Sequence, residues 1–141
     1  MPASSDLSNS FNSMVSDLNR VFGSGATCPP SQTDEGIIRG YWCDTVSMHS
    51  PHDAPCIGPN ALFQDLITRA GVNRETFLGL NFTPNQPVQF TYFGNTGFVT
   101  GTGSFTDHDN DQDTPRTIAF IFHYDLINGV WKVRVATSTR N

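Results

Sequence analysis

The chain has 141 residues, a length that fits one domain, 1–141, and is sufficient to bury a core. Hydrophobic residues make up 37% and charged residues 15%, which argues against a disordered chain, and no apolar run is long enough to span a membrane. The formal net charge of −5 argues against a protein whose main task is to bind nucleic acid.

The first predicted element is an amphipathic helix over residues 5–22, because apolar residues recur there every three or four positions. The glycines and prolines of residues 23–32 cannot continue this helix, so they are predicted to form a loop. A second helix is predicted to start at Thr33 and to end near Cys43, with its apolar side chains turned inward. These side chains are Ile37, Ile38, Tyr41 and Trp42.

A strand is predicted over residues 45–50, and the sequence PHDAP over residues 51–55 predicts a turn. Pro59 then begins a third helix, for which Gly71 is the expected C-cap. One apolar stripe follows this helix and consists of Leu62, Phe63, Leu66 and Ile67.

After Arg74 the sequence consists of β-branched and aromatic runs separated by turn residues, which predicts five strands. Their ranges are 77–82, 88–93, 97–106, 117–125 and 130–139. Gly94-Asn95 and Asn128-Gly129 predict short hairpin turns, and residues 107–115 predict a longer one. Helices followed by a meander of antiparallel strands indicate an α+β fold, with the helices packed on one face of a curved sheet.

Four aspartates alternate along the predicted loop of residues 107–115: Asp107, Asp109, Asp111 and Asp113. This loop lacks the central Gly and the terminal bidentate Glu of an EF-hand, so it is interpreted as a solvated acidic turn. No zinc spacing, nucleophile elbow or phosphate-binding loop is present. The sequence therefore predicts neither a metal nor a cofactor.

The cysteines, Cys28, Cys43 and Cys56, are three in number and lack CxxC spacing, which predicts reduced thiols rather than a disulfide framework. The first ten residues contain no apolar segment of the kind found in a secretory signal. A cytoplasmic location is therefore expected.

Several motifs along residues 5–140 resemble the nuclear transport factor 2-like superfamily, and most closely its SnoaL-like polyketide cyclase and ketosteroid isomerase branch. The motifs are YWCD at residues 41–44, GPNAL at residues 58–62 and NGVWKV at residues 128–133. The resemblance implies a cone-shaped α+β barrel, in which three helices close over a strongly curved, mostly antiparallel sheet around an apolar pocket. It also implies a homodimer formed through the outer face of the sheet, and the long loop 23–32 is expected to cover the pocket mouth.

The resemblance also suggests which face of the last two strands lines the pocket. Alternation alone leaves two faces open, one with Phe120, Phe122 and Tyr124 and the other with Ile121 and His123. The register that carries Arg134 and Tyr124 is the one that resembles the pocket lining of this family. In such a pocket Arg134 would stabilise developing negative charge, and Tyr124 would donate a hydrogen bond to a carbonyl.

Three further residues are candidates for catalysis. Arg39, on the second helix, could hold an oxyanion as Arg134 would. His49 has a suitable pKa for proton transfer and precedes Ser50, which stands where the isomerases of this family have a carboxylate base. Alternation of side chains along the predicted strand nevertheless places His49 on the opposite face from Met48 and Ser50. Asp44, between helix and strand, is the second candidate for moving a proton, although capping the backbone is its more common role.

The 11 phenylalanines of the chain favour an aromatic pocket lining as well as an aromatic core. The residues predicted to bind substrate are Tyr41, Trp42, Met48, Phe63, Phe120 and Phe122. The resulting hypothesis is a cofactor-independent isomerase, cyclase or dehydratase acting on a hydrophobic polycyclic, polyketide- or terpenoid-like intermediate of secondary metabolism. A non-catalytic dimeric module that binds a ligand or a protein is the alternative, and an epoxide hydrolase is the third possibility.

Overall fold

The computed structural model describes residues 4–51, 53–73, 75–109 and 112–140. Three helices precede most of the strands. The helices are α1 (Ser4–Phe22), α2 (Gln32–Arg39) and α3 (Pro59–Ala70). The strands are β1 (Trp42–Ser50), β2 (Asp53–Ile57), β3 (Val72–Asn73), β4 (Thr76–Phe77), β5 (Thr83–Pro84), β6 (Gln89–Phe93), β7 (Thr96–Asp109), β8 (Gln112–Ile127) and β9 (Val130–Arg140).

The main sheet has seven strands in the order β2-β1-β9-β8-β7-β5, and β6 also pairs with β7. All pairs in it are antiparallel except β1 with β9. The helices pack on the concave face of this curled sheet, which is not closed into a barrel. The prediction of an α+β fold with three helices on a curved, mostly antiparallel sheet is therefore confirmed.

Helix α2 is shorter than predicted. The Ser31 side chain caps its first turn by accepting from the Asp34 N–H. At its end the Gly40 N–H donates to the Gly36 carbonyl and the Tyr41 N–H donates to the Ile38 carbonyl. The Tyr41 carbonyl then accepts from the Val133 N–H at 2.8 Å, which brings the chain alongside β9. Trp42 therefore begins strand β1 instead of extending the helix, and Ile37 stays 39% exposed rather than inward.

The predicted turn at residues 51–55 is wrong in part, because β2 begins at Asp53 and pairs antiparallel with β1. Ser50 lies opposite Asp53, so the connection between the strands is very short. Strand β2 ends the strand order of the main sheet. Pro55 can occupy such an edge strand because its missing N–H can face the open side.

Two predictions in the second half of the chain also need correction. Residues 77–82 are not one strand: Gly79 and Asn81 have positive φ values of 120° and 49°, and these interrupt it. Residues 107–115 are not one long loop, because β7 continues to Asp109 and pairs there with Gln112 of β8. Cross-strand pairing within this hairpin extends both strands through a polar segment that has weak strand propensity.

Both predicted short hairpin turns are present. Asn128 and Gly129 have φ values of 51° and 79°, as the tight turn between β8 and β9 requires. Gly94 has a φ of 61° in the turn between β6 and β7.

The core lies between the helices and the sheet and is rich in aromatic side chains. Phe11 of α1 is fully buried, and its ring centroid lies 5.8 to 5.9 Å from those of Phe90, Phe120 and Phe122. Phe22 packs against Phe63 of α3 in the same way, at 5.6 Å. These rings join the helices to one another and to the strands, and a cavity lies beside them.

Candidate active site

The cavity has a volume of about 140 Å³ and lies between α1, α3 and the concave face of the sheet. Most of its wall is apolar. The apolar wall consists of Met14, Leu18, Trp42, Met48, Leu62, Leu66, Leu80, Phe82, Phe105, Ile118, Phe122, Val133 and Ala136. The polar lining residues are Ser50, Asp53, Arg69, Thr137 and Ser138.

The polar lining residues mark the mouth of the cavity. Asp53 and Thr137 are exposed, whereas most of the apolar lining is buried. Met48 of β1 pairs with Ala136 of β9, and the next pair along these strands brings in Thr137, so the wall changes from apolar to polar within one residue. A ligand that entered here would bury its apolar part and leave its polar part at the mouth.

Asp53 is held at the mouth from two sides. The Ser50 hydroxyl donates to Asp53 Oδ2 at 3.2 Å across the short β1–β2 connection. Arg69 Nη2 donates to the same oxygen at 2.9 Å. A carboxylate fixed at an apolar cavity is suited to accept or return a proton.

Arg69 connects the cavity mouth to two further carboxylates. Its Nε donates to Asp65 Oδ2 at 2.7 Å, one helical turn earlier in α3. Its Nη1 lies 3.7 Å from Asp107 Oδ1 of β7. Burial acts to lower the pKa of Arg69, but the hydrogen bonds to Asp65 and Asp53 and the nearby charge of Asp107 outweigh it and raise the pKa. The guanidinium therefore stays charged.

Asp107 is only 2% exposed, so it does not lie in a solvated turn as predicted. Its second oxygen lies 3.6 Å from Nε of Arg116 on β8, so the carboxylate is placed between two guanidinium groups. Extension of β7 and β8 past the predicted loop boundary is what turns Asp107 inward. Of the other predicted members of the acidic turn, Asp113 is exposed, whereas the side chain of Asp109 and the whole of Asp111 lie outside the described part of the chain.

Of the residues predicted to bind substrate, Trp42, Met48 and Phe122 line the cavity. Phe63 and Phe120 are buried in the core, next to the cavity rather than in its wall. Tyr41 donates to Asp17 Oδ2 of α1 at 2.5 Å. Burial, and then this hydrogen bond, raises the pKa of Tyr41 to about 12. Tyr41 thus joins α1 to the start of β1.

The predicted register of the last two strands is half correct. Tyr124 faces inward, is 1% exposed and lies with its hydroxyl 3.9 Å from Met14 Sδ, and burial raises its pKa. Arg134 faces outward, with its side chain 54% exposed and paired to Asp125 at 3.2 Å. The cause is a register shift: His123 pairs with Val135 and Tyr124 pairs with Val133, which skips Arg134.

The other three predicted catalytic residues lie away from the cavity wall formed by the described residues. Arg39 donates to Glu35 at 2.8 Å and covers the ring of Phe63. Asp44 is exposed. His49 contacts the Ser47 hydroxyl at 3.0 Å. Met48 and Ser50 line the cavity and His49 does not. This agrees with the predicted alternation, which places His49 on the opposite face of the strand from these two residues.

No protein-family model and no curated protein sequence matches this chain. Solved structures do match. A ketosteroid isomerase-like protein from Erwinia carotovora atroseptica is 12% identical, with a TM-score of 0.65 over 96% of this chain and 94% of that one. Hexachlorocyclohexane dehydrochlorinase LinA-type3 from Novosphingobium barchaimii is 13% identical, with a TM-score of 0.68 over 96% and 86%. A provisionally named dehydratase of the nuclear transport factor 2-like family from Streptomyces avermitilis is 10% identical, with a TM-score of 0.69 over 97% and 94%.

The chain has the nuclear transport factor 2-like fold. This agrees with the fold implied by the sequence motifs. In the nuclear transport factor 2-like fold of this chain, the cavity occupies the space that the helices leave above the concave face of the sheet. Several proteins that share the fold are named as enzymes, so the fold is compatible with catalysis.

Two residues at the mouth of this cavity, Asp53 and Arg69, were missed from the sequence. Asp53 fell in a segment predicted to be a turn, where aspartate is ordinary. Leu62, Leu66 and Arg69 are separated by four and then three residues, so Arg69 lies on the apolar stripe of α3. An arginine on the buried stripe of a helix is the signal that could have revealed it.

Two further observations concern the described part of the chain. No helix there is long and apolar enough to cross a membrane. No group of three or more His, Cys, Asp or Glu side chains is arranged there to hold a metal ion.

Proposed function

We propose that the chain is a cofactor-independent isomerase, cyclase or dehydratase that transfers protons on a hydrophobic small molecule held in the cavity. The observation that carries this proposal is one geometry: an apolar cavity whose mouth holds the carboxylate of Asp53 against the guanidinium of Arg69. The isomerase-like and dehydrochlorinase structures of the same fold support an enzyme of this general kind.

Asp53 and Arg69 have different roles in the proposed reaction. The Asp53 carboxylate removes a proton from a carbon next to a carbonyl, and the electron pair of that C–H bond moves onto the carbonyl oxygen. Arg69 stabilises the resulting enolate, since it remains charged. Return of the proton from Asp53 to a different carbon gives an isomer. For a β-hydroxy ketone, Asp53 instead donates that proton to the β-hydroxyl oxygen as the enolate re-forms the carbonyl and the C–O bond breaks, which releases water and completes a dehydration. The apolar wall keeps bulk water from the enolate.

The cavity volume limits the size of the chemical group that can enter. An engineered cavity of about 150 Å³ accommodates benzene, so about 140 Å³ accommodates one six-membered ring. A polycyclic, polyketide- or terpenoid-like substrate of secondary metabolism would place its reacting ring in the cavity. Its other rings would extend past Asp53 and Thr137 into solvent.

The test uses cyclohex-3-en-1-one, whose conversion to the conjugated enone is followed by ultraviolet absorbance. A cyclic β-hydroxy ketone tests dehydration in the same way. The expected result is turnover above the buffer rate that falls at least a hundredfold in Asp53→Asn. Glu75→Gln, at an exposed site, is the matched control and should keep full activity. Turnover that survives in Asp53→Asn would remove Asp53 from the mechanism.

Epoxide hydrolysis is a second candidate, favoured by the placement of Arg69 between the carboxylates of Asp53 and Asp107. Of these two carboxyl groups, the ionised one would activate a water molecule. The other, in its protonated form, would donate a proton to the epoxide oxygen as the ring opens. Cyclohexene oxide in ¹⁸O-labelled water tests it, because hydrolysis yields a labelled diol. If neither the ketones nor the epoxide turn over, the result would favour the alternative, a non-catalytic dimeric module that binds a ligand or a protein.

We also propose that the chain forms a homodimer through the outer face of the sheet. Ile121 and Phe98 lie on neighbouring strands there and are 50% and 40% exposed, and Phe98 stacks on His123 at 4.9 Å. An apolar patch on the open face of a sheet is typical of a protein interface. Ile121→Glu should convert a dimer into a monomer in sedimentation velocity, whereas a wild-type monomer at 100 μM would refute the proposal.

A further inference from the structure

Tyr124 carries a buried hydroxyl whose hydrogen-bond partner is weak. The residue is 1% exposed, and its hydroxyl donates to the Met14 thioether at 3.9 Å. No other polar group within the described ranges contacts this hydroxyl. Because thioether sulfur is a weak acceptor, the hydroxyl has lost its hydrogen bonds to water without gaining a strong one in the protein.

The Met14 side chain separates this hydroxyl from the cavity. Met14 is itself buried and belongs to the cavity wall. Val133, the cross-strand partner of Tyr124, belongs to the wall as well, and so does Trp42, which pairs with Val133 from the other side. Ser138, at the mouth, follows Val133 by five residues on β9. Met14, Trp42 and Val133 therefore form the inner end of the cavity, and the Tyr124 hydroxyl lies one side chain behind it.

The surroundings of the hydroxyl limit what can replace the thioether as its acceptor. Burial raises the pKa of Tyr124, so the hydroxyl stays protonated and acts as a donor. The three residues of the inner end are apolar, so a carboxylate would be desolvated there at a high cost. A neutral carbonyl, ether or hydroxyl oxygen costs less to bury and is a better acceptor than sulfur.

We propose that Tyr124 is a ligand-binding residue and that Met14 covers its hydroxyl until a ligand enters. In the bound state the flexible thioether turns aside, and the hydroxyl donates to a neutral oxygen on the inner edge of the ligand. The ligand is then a ring with an acceptor oxygen at its inner edge, besides the carbonyl that the proposed reaction places near Arg69. This inference rests on the proposed function, in that the same cavity is taken as the ligand site.

Two single-ring probes of matched shape test the inference, because cyclohexanone and methylenecyclohexane differ only in the oxygen. The chain has three tyrosines, so in protein labelled with ¹³C at tyrosine Cζ the Tyr124 resonance is assigned by its loss in Tyr124→Phe. We expect cyclohexanone to shift that resonance and methylenecyclohexane to shift it much less. Cyclohexanone that binds and leaves the Tyr124 resonance in place would overturn the inference.

Three variants separate the hydrogen bond from burial of the ring, through the ratio of the two dissociation constants. Tyr124→Phe should lower the relative affinity for cyclohexanone about fivefold. It should not lower the urea midpoint, because the hydroxyl has only a weak partner in the protein. Tyr92→Phe is the matched control and should leave the ratio unchanged, since Tyr92 packs against Trp131 away from the cavity wall. Met14→Leu keeps the side-chain volume but removes the competing sulfur, so the relative affinity for cyclohexanone should rise about twofold.

An unchanged ratio in Tyr124→Phe would overturn the inference, and so would failure of both probes to bind. These readouts do not depend on turnover, so they are distinguishable from failure of the proposed function. Turnover that Asp53→Asn abolishes, together with an unchanged ratio in Tyr124→Phe, would refute the inference and support the proposed function. A ratio that depends on Tyr124, without conversion of any ketone or epoxide, would support the inference and refute the proposed enzyme.

Discussion

Asn19 and Phe82 are joined by two reciprocal hydrogen bonds between a side chain and the backbone. Asn19 Nδ2 donates to the Phe82 carbonyl at 2.8 Å, and Asn19 Oδ1 accepts from the Phe82 N–H at 2.8 Å. The segment between β4 and β5 has no sheet partner at this point, so the α1 side chain substitutes for one. Because the Phe82 ring lines the cavity, the pair connects helix α1 to the cavity wall.

The first prediction concerns this pair. Asn19→Ala leaves a partly buried N–H and a partly buried carbonyl without partners, so we expect a loss of about 2 kcal/mol in the free energy of unfolding. Urea denaturation followed by tryptophan fluorescence measures it. Asn12→Ala is the control, because Asn12 is exposed and its side chain donates a long, exposed hydrogen bond to the Ser8 hydroxyl at 3.4 Å. Equal losses in both variants would contradict the assigned role.

The second prediction concerns Arg69 and its ion pairs. Arg69→Met removes the shared partner of Asp53, Asp65 and Asp107, so Asp107, which is 2% exposed, loses one of the two guanidinium groups beside it. We expect a loss of about 3 kcal/mol in the free energy of unfolding. Arg20→Met removes two ion pairs from a side chain that is 50% exposed and should cost less than about 1 kcal/mol. A small loss in Arg69→Met would show that the cluster contributes little to stability.

The general architecture could be predicted from the sequence because it depends on local patterns. The apolar spacing in α1, Pro59 at the start of α3 and the Asn128-Gly129 turn each specify one conformation with little help from distant residues. Trp42 and Asp53 are different. Trp42 joins a strand because β9, about 90 residues later, offers it a parallel edge, and Asp53 joins a strand only because β1 is already in place.

The candidate site was harder to predict for a similar reason. Alternation left two faces open, and the family resemblance correctly indicated that Tyr124 faces inward, but one skipped residue turned Arg134 to solvent. A one-residue shift reverses the face of every later side chain on that strand. The charged part of the site brings together Asp53, Arg69 and Asp107 from β2, α3 and β7, and no local pattern connects them.

The third prediction concerns His108 and pH. Its Nδ1 contacts Asp113 Oδ1 at 2.5 Å and its Nε2 contacts the Gly79 carbonyl at 2.8 Å, so both nitrogens face acceptors. Burial acts to lower the pKa of His108, but these two hydrogen bonds and the charges of Asp113 and Asp107 outweigh it and raise the pKa. A raised pKa in the folded state means that the protonated form stabilises the fold.

The contribution of His108 to stability should be complete below the unfolded-state pKa of about 6.5 and should disappear as the pH rises through the higher folded-state pKa. His108→Gln should therefore be more destabilising at pH 5.5 than at pH 9, when both are measured by urea denaturation against the wild type. Asp113→Asn removes the negative charge of one of the two acceptors and should reduce this difference. A destabilisation that does not change with pH would show that the imidazole acts by packing alone.

The fourth prediction compares two glycines. A Cβ at Gly103 of β7 would lie 2.9 Å from the Thr83 carbonyl oxygen, so Gly103→Ala must separate β5 from β7 and should cost about 1 to 3 kcal/mol. Gly36 lies within α2, and a Cβ there would meet no atom within 4 Å. Gly36→Ala should stabilise the protein by up to about 1 kcal/mol, because alanine is the better helix former. Thermal unfolding of both variants measures the two opposite shifts, and a Gly103→Ala variant as stable as the wild type would mean that β5 does not need this close approach.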